Sequence, residues 1–180
     1  RGLGDVYKRQ AELFINGKSY GKQSKNNSSL KNRYRLMWMD AVYEPGEVKV
    51  VAYNKDGKAV AEKVVRTAGK PHHIELVSNR NELTADGKDL AYVTVKVVDK
   101  DGNPCPTDNR QINFSAKGAG KYRAAANGDP TNLEQFHLPK MHAFNGMLTA
   151  IIQAGETAGE IVFTAKANGV KAGNIRIQTK

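Results

Sequence analysis

The chain has 180 residues, 28 of them Lys or Arg and 18 Asp or Glu, giving a formal net charge of +10, and 39% are hydrophobic. That apolar share supports modest cores and excludes a wholly disordered chain, while the lone cysteine, Cys105, excludes a disulfide scaffold and a Cys-based zinc cluster. No apolar run approaches the roughly 20 residues of a membrane-spanning helix.

In chain order, the first ten residues, Arg-Gly-Leu-Gly-Asp-Val-Tyr-Lys-Arg-Gln, show no helical period and no signal-peptide pattern. They resemble a translated sequencing-adapter scar, so 1–10 are expected to be a non-native leader. From Ala11 onward nearly every segment has period two, the signature of strands. Ala11–Asn16 is a short apolar run ending at Asn16-Gly17, a hairpin signal, with Lys18–Lys22 as its return strand. A polar loop over Gln23–Asn32 follows. Tyr34, Leu36 and Trp38 then alternate with Arg35, Met37 and Met39, which predicts a strand with Trp38 in the core. Glu44-Pro45-Gly46-Glu47 is a turn, and Val48–Tyr53 and Lys58–Arg66 flank the hairpin turn Asn54-Lys55-Asp56-Gly57. Breakers in Thr67-Ala-Gly-Lys-Pro71 place a domain boundary there, dividing 11–69 from 70–180.

The second half predicts strands at His73–Val77, Ala91–Asp99, Ile112–Ala116, Met147–Gln153, Gly159–Ala167 and Ala172–Thr179. In Ala91–Asp99, Ala91, Val93, Val95 and Val97 share one face. Asp101-Gly-Asn-Pro-Cys-Pro106 is turn chemistry, with prolines a central strand excludes. Close-spaced short strands with no helices between them predict an all-β fold of tandem antiparallel β-sandwiches. Within 70–180, between the strands ending at Ala116 and starting at Met147, residues 117–146 show little alternation and are expected to be a long loop. Loops beyond about 12–15 residues are often functional. Tyr122, Asn127, Asp129, Phe136, His137, His142, Phe144 and Asn145 are its candidate docking or sugar-contact residues, with exposure of both Phe136 and Phe144 as the sign of docking on something else.

The charge does not form a nucleic-acid site. Residues 11–69 carry eleven basic and six acidic groups and 70–180 fourteen and eleven, and the densest basic cluster lies in a Ser/Asn-rich turn region instead of on one face interleaved with aromatics. Catalytic constellations are equally sparse. There is no Gly-x-Ser-x-Gly elbow and no phosphate-cradling Gly-x-x-x-x-Gly-Lys-Ser/Thr. His137 and His142 are five apart, whereas a helical metal pair prefers four and a third ligand. Cys105 has no base in its neighbourhood of sequence. Asn81-Glu82, a dipeptide also found in glycosidase acid/base motifs, sits in a turn, and no second carboxylate can be paired with it. No catalytic residue, cofactor or metal is expected.

Glu12-Leu-Phe-Ile-Asn-Gly-Lys-Ser19, Tyr34-Arg-Leu-Met-Trp38, Tyr43-Glu-Pro-Gly-Glu-Val-Lys-Val-Val-Ala-Tyr53 and Val65-Arg-Thr-Ala-Gly69 resemble the β-sandwich module that follows the barrel in bacterial glycoside hydrolase family 2 β-galactosidases. Leu83-Thr-Ala-Asp-Gly-Lys-Asp-Leu-Ala-Tyr-Val-Thr-Val95, Val98-Asp-Lys-Asp-Gly-Asn-Pro104, Asn127-Gly-Asp-Pro130 and Ala143-Phe-Asn-Gly146 are similar to the C-terminal immunoglobulin-like domain of those enzymes. The resemblance implies two immunoglobulin-like sandwiches, the first incomplete at its N-terminus, as a non-catalytic part of a retaining, β-galactosidase-type glycosidase. Its two catalytic glutamates would belong to an upstream barrel absent from this chain, and that barrel is the expected partner, with a galactoside or polysaccharide as ligand. The resemblance also implies a periplasmic or secreted bacterial protein. A carbohydrate-binding module and an adhesin-type repeat are the alternatives.

Overall fold

A computed structural model describes residues 10–26 and 28–180. The expected leader lies outside the described residues except for Gln10, which opens the first strand. The chain divides into two compact units, one ending at Thr67 and one running from Ala68 to Lys180. Nearly all regular structure is β, as expected.

The first unit contains β1 (Gln10–Ile15), β2 (Lys18–Ser24), a short helix α1 (Leu30–Tyr34), β3 (Glu47–Tyr53) and β4 (Ala59–Arg66). The strands make one antiparallel sheet in the order β2-β1-β3-β4, so the described residues form a single layer. Asn16 (φ 49°) and Gly17 (φ 82°) supply the two left-handed positions of the β1–β2 turn, the conformation that matches strand twist and that Asn-Gly tolerates best. The Asn16 side chain also accepts from Glu47 N (2.8 Å) and donates to Pro45 O (3.1 Å), tying that hairpin to the start of β3. In the second turn, Asn54 Oδ1 accepts from Asp56 N and Lys58 N, an Asx turn. Apolar burial is confined to Ala11, Leu13 and Ile15 on β1. In register with Ile15 across the sheet lie Val48 and then Val65, and Val65 is 61% exposed.

The expected strand over Tyr34–Met39 is not one. Ser29 caps α1 by accepting from Asn32 N, the helix ends at Tyr34, and residues 35–38 join no strand, Ala41 N donating to Trp38 O in the turn that follows. Side chains hold them instead. Trp38 Nε1 donates to Gly21 O (2.8 Å), and Gln23 Oε1 accepts from Met37 N (3.4 Å). Both acceptors belong to β2, and Gly21 lies where its ladder to β1 is irregular. Trp38 is therefore half-buried and not a core residue, because its indole N–H needs a polar partner at the rim.

The second unit is a two-sheet sandwich. One sheet runs β10-β8-β12-β13-β6, from Lys140–His142, Gln111–Gly118, Gly159–Lys166, Gly173–Thr179 and Glu82–Leu83; the other runs β5-β7-β11-β9, from His73–Ser78, Leu90–Val98, Met147–Ala154 and Gly120–Ala126. All pairings are antiparallel except β13–β6, which is parallel. Alternation works as period two dictates: Ala91, Val93, Val95 and Val97 are all fully buried. They meet Ile152, Ala150 and Leu148 of the neighbouring strand and, from the opposite sheet, Ile112, Phe114, Phe163, Ile161 and Ile177 in one core.

The expected long loop over 117–146 is shorter, because it contains β9 and β10. β9 has a bulge. Ile151 faces Ala124 and Ile152 faces Tyr122, which leaves Arg123 as an extra residue. The inward parity changes there, from Gly120 and Tyr122 to Ala125, and the alternation is lost to a period-two reading. What remains irregular is 127–139 and the short turn at 143–146.

Candidate functional site

The candidate residues on 122–145 fall into two groups. Tyr122, on β9, packs its ring on Phe114 (centroids 5.5 Å apart) and donates its hydroxyl toward Leu138 O (2.8 Å) and Phe136 O (3.1 Å). Desolvation pushes its phenol up to about 12. The ring is thus engaged by the sandwich and the hydroxyl by the loop.

Asn127 follows that strand and donates from Nδ2 to His142 O (3.0 Å), while its Oδ1 accepts from Asp129 N. Asp129 accepts from the Thr131 amide (2.8 Å) and hydroxyl (2.7 Å), and these bonds hold its carboxyl below the usual range. Sequence reading did not single out Glu134, which is the second clamp. Its carboxylate accepts from His142 N and contacts His142 Nδ1, both at 3.0 Å. Burial raises the Glu134 carboxyl, the His142 bonds lower it, and the net shift is downward. Phe136 O also accepts from Ala125 N (2.8 Å), and Pro139 O from Phe114 N (2.8 Å). Asn132 Nδ2 is buried without a partner. Phe136 and His137 are exposed.

Phe144 and Asn145 belong to a different feature. Phe144 and Met147 exchange backbone hydrogen bonds across Asn145 (φ 53°) and Gly146 (φ 75°), a tight turn of the same kind as Asn16-Gly17. Phe144 is half-buried and only Phe136 is exposed, so the expected sign of docking, both rings in solvent, is not met. A Cβ on Gly146 would lie 2.2 Å from Cys105 O, which makes glycine obligatory. The structure therefore joins Tyr122 to Phe136, and Asn127 to His142, while Asn145 serves a turn.

Carboxylates of the described residues act as acceptors for turns and strands. Asp99 is buried and takes the amides of Gly69 (2.8 Å), Asn103 (2.8 Å) and Asp101 (2.9 Å), with the Asn103 side chain, and lies far below the ordinary carboxylate range as a result. Asp89 takes Thr84 N and Leu90 N and pairs with Arg80. At Asp108 burial raises the carboxyl, but a fork of bonds from Arg110 Nε and Nη2 outweighs it. Every shifted carboxylate here, Glu12, Asp86, Asp89, Asp99, Asp108, Asp129 and Glu134, is shifted down. A general acid needs the opposite shift. Burial raises the Cys105 thiol, which disfavours the thiolate form. No group of three or more His, Cys, Asp or Glu among the described residues is arranged to hold a metal.

The family follows from comparison with known sequences. The profile of the glycoside hydrolase family 2 C-terminal domain 5 matches residues 74–176. The chain belongs to glycoside hydrolase family 2. A domain of unknown function (DUF4982) matches residues 8–61. Over 171 residues the chain is 40% identical to a β-galactosidase of Bacteroides ovatus, covering 95% of this chain and 19% of that protein. Over 126 residues it is 34% identical to a β-galactosidase of Thermoanaerobacter pseudethanolicus, covering 69% of this chain and 15% of that one. Among solved structures, a family 2 member from Bacteroides cellulosilyticus superposes with a TM-score of 0.85 at 32% identity, over 96% of this chain and 22% of that one. The chain spans less than a fifth of the length of these curated relatives. Within family 2 it is a C-terminal domain segment, and its all-β fold is the fold of those neighbours.

Proposed function

We propose that this chain is a non-catalytic part of a β-galactosidase-type family 2 glycosidase, bracing the catalytic barrel or shaping the entrance to its pocket. The observation that carries this reading is the 40% identity to the B. ovatus β-galactosidase across nearly the whole chain, with less than a fifth of that enzyme matched. The carboxylates support it. Retaining hydrolysis needs two carboxyl groups about 5–5.5 Å apart, one of them with a raised pKa, and the shifted acids here are lowered and bound to backbone amides.

Three measurements test the reading. Purified chain is expected to release no chromophore from a chromogenic β-galactoside, and measurable hydrolysis would assign catalysis to it. The B. ovatus β-galactosidase lacking its matching segment is expected to lose heat resistance or change its KM. Unaltered heat inactivation and kinetics would remove the bracing role. Retention of the isolated chain on insoluble polysaccharide would move the reading to a carbohydrate-binding module.

A further inference from the structure

Among the described residues, the two most exposed large apolar side chains of the second unit are neighbours on one loop, Leu133 (96%) and Phe136 (56%), and Leu138 of the same loop is exposed too. One exposed leucine is unremarkable. Three on a segment whose backbone is fixed are different. The loop is tied to β9 through Ala125 N and the Tyr122 hydroxyl, to β8 through Phe114 N, and to β10 through the double contact of Glu134 with His142. Within it, Asp129 and Asn132 side chains accept the Thr131 and Glu134 amides. The sandwich thus holds this backbone in one path while its apolar side chains stay in water, the arrangement of a preorganised contact surface.

Size and charge say what fits it. At those exposures the three side chains offer roughly 400 Å², below the ~800 Å² per partner of a stable complex between separate proteins. A contact this small suits a tethered neighbour, whose effective concentration is set by the linking chain. The curated relatives are more than five times as long as the matched segment, so a tethered neighbour is available in them. Lys121 and Arg123 of β9 and Lys140 of β10 are exposed beside the loop, whereas its own acids, Asp129 and Glu134, are bonded internally. A complementary surface is apolar with carboxylates at its edge.

We propose that the Leu133–Leu138 loop docks on another domain of the same glycosidase polypeptide, seating Leu133 and Phe136 in an apolar patch rimmed by carboxylates. This rests on reading the chain as part of a longer family 2 glycosidase. The test uses Leu133→Cys. Position 133 is almost fully exposed, and the native Cys105 is 3% exposed, so the new thiol can be followed by peptide mass mapping after timed maleimide labelling. In the 180-residue chain, position 133 labels about as fast native as denatured. In the complete glycosidase polypeptide carrying this segment, native labelling is expected to be at least tenfold slower than denatured. Equal native rates in the two proteins overturn the docking. Slow labelling of the isolated chain that speeds up on dilution also overturns it, in favour of a second copy as the occupant. If position 133 of the variant stays reactive while removal of the segment still weakens the enzyme, the bracing function stands and this contact falls. If removal changes nothing, the functional reading itself falls.

Discussion

The two units share one sequence grammar and differ in what it achieves. In the second unit, alternating strands from two sheets face each other, and Val93, Val95, Val97, Ile152, Ile161 and Phe163 are fully excluded from water. Among the described residues of the first, the same alternation builds one layer, where burial stops at β1 and the register line Ile15–Val48–Val65 ends in solvent. Period two selects which residues share a face. A second layer is needed to bury that face, and burial supplies roughly 25 cal/mol per Å² of apolar surface.

The sharpest way to break this contrast is a core truncation. Phe163→Ala is expected to destabilise the second unit by about 3–5 kcal/mol in urea denaturation. The single tryptophan, Trp38, lies in the first unit, so its fluorescence transition should stay in place while the far-UV signal shifts. Coincident movement of both would mean the units unfold as one. Next in size are two glycines of like conformation. Gly146→Ala adds a clash with the Cys105 carbonyl to the left-handed backbone cost, about 2–4 kcal/mol in all. Gly17→Ala meets no atom within 4 Å and should cost only about 1 kcal/mol. Equal losses would show that contact at Gly146 is relieved by movement.

Acid separates the units more gently. Among the described residues, the second unit holds six lowered carboxylates and the first holds Glu12. A lowered folded-state pKa gives stability that is complete above the unfolded value of about 4 and is lost as pH falls through the folded value. Below about pH 5 the melting temperature of the second unit should therefore fall more steeply than that of the first, and Asp99→Asn should flatten the slope. Parallel slopes would count against the amide-bound carboxylates as its source. The smallest effect belongs to the open end of the first sheet, where Val65→Thr should change stability by less than about 0.5 kcal/mol.

Much of this was legible in the sequence, and the misses have physical causes. Asn16-Gly17 announced its turn because few residue pairs accept two positive φ angles, and Ala91–Val97 announced a core strand because every second residue is apolar. β9 escaped because the bulge at Arg123 reverses parity and because alanines give little contrast. Tyr34–Met39 misled, since alternation describes side chains and says nothing of whether a backbone partner is free; β2 reaches that segment through side-chain bonds alone. In the candidate site, Phe136 was readable as an aromatic outside any period. Glu134 and Leu133 were not, because a clamp eight residues from His142 and a side chain left in solvent both depend on the path of the loop.

The last strand has a consequence for handling the protein. β13 pairs in parallel with Glu82–Leu83, Lys180 N donates to Leu83 O, Ala85 N donates to Lys180 O, and Lys180 Nζ reaches Glu82. Lys180 is therefore a fastener for a segment nearly a hundred positions earlier. Trimming Thr179 and Lys180 should release the 82–85 stretch, so an affinity handle is better appended beyond an intact Lys180 than substituted for it.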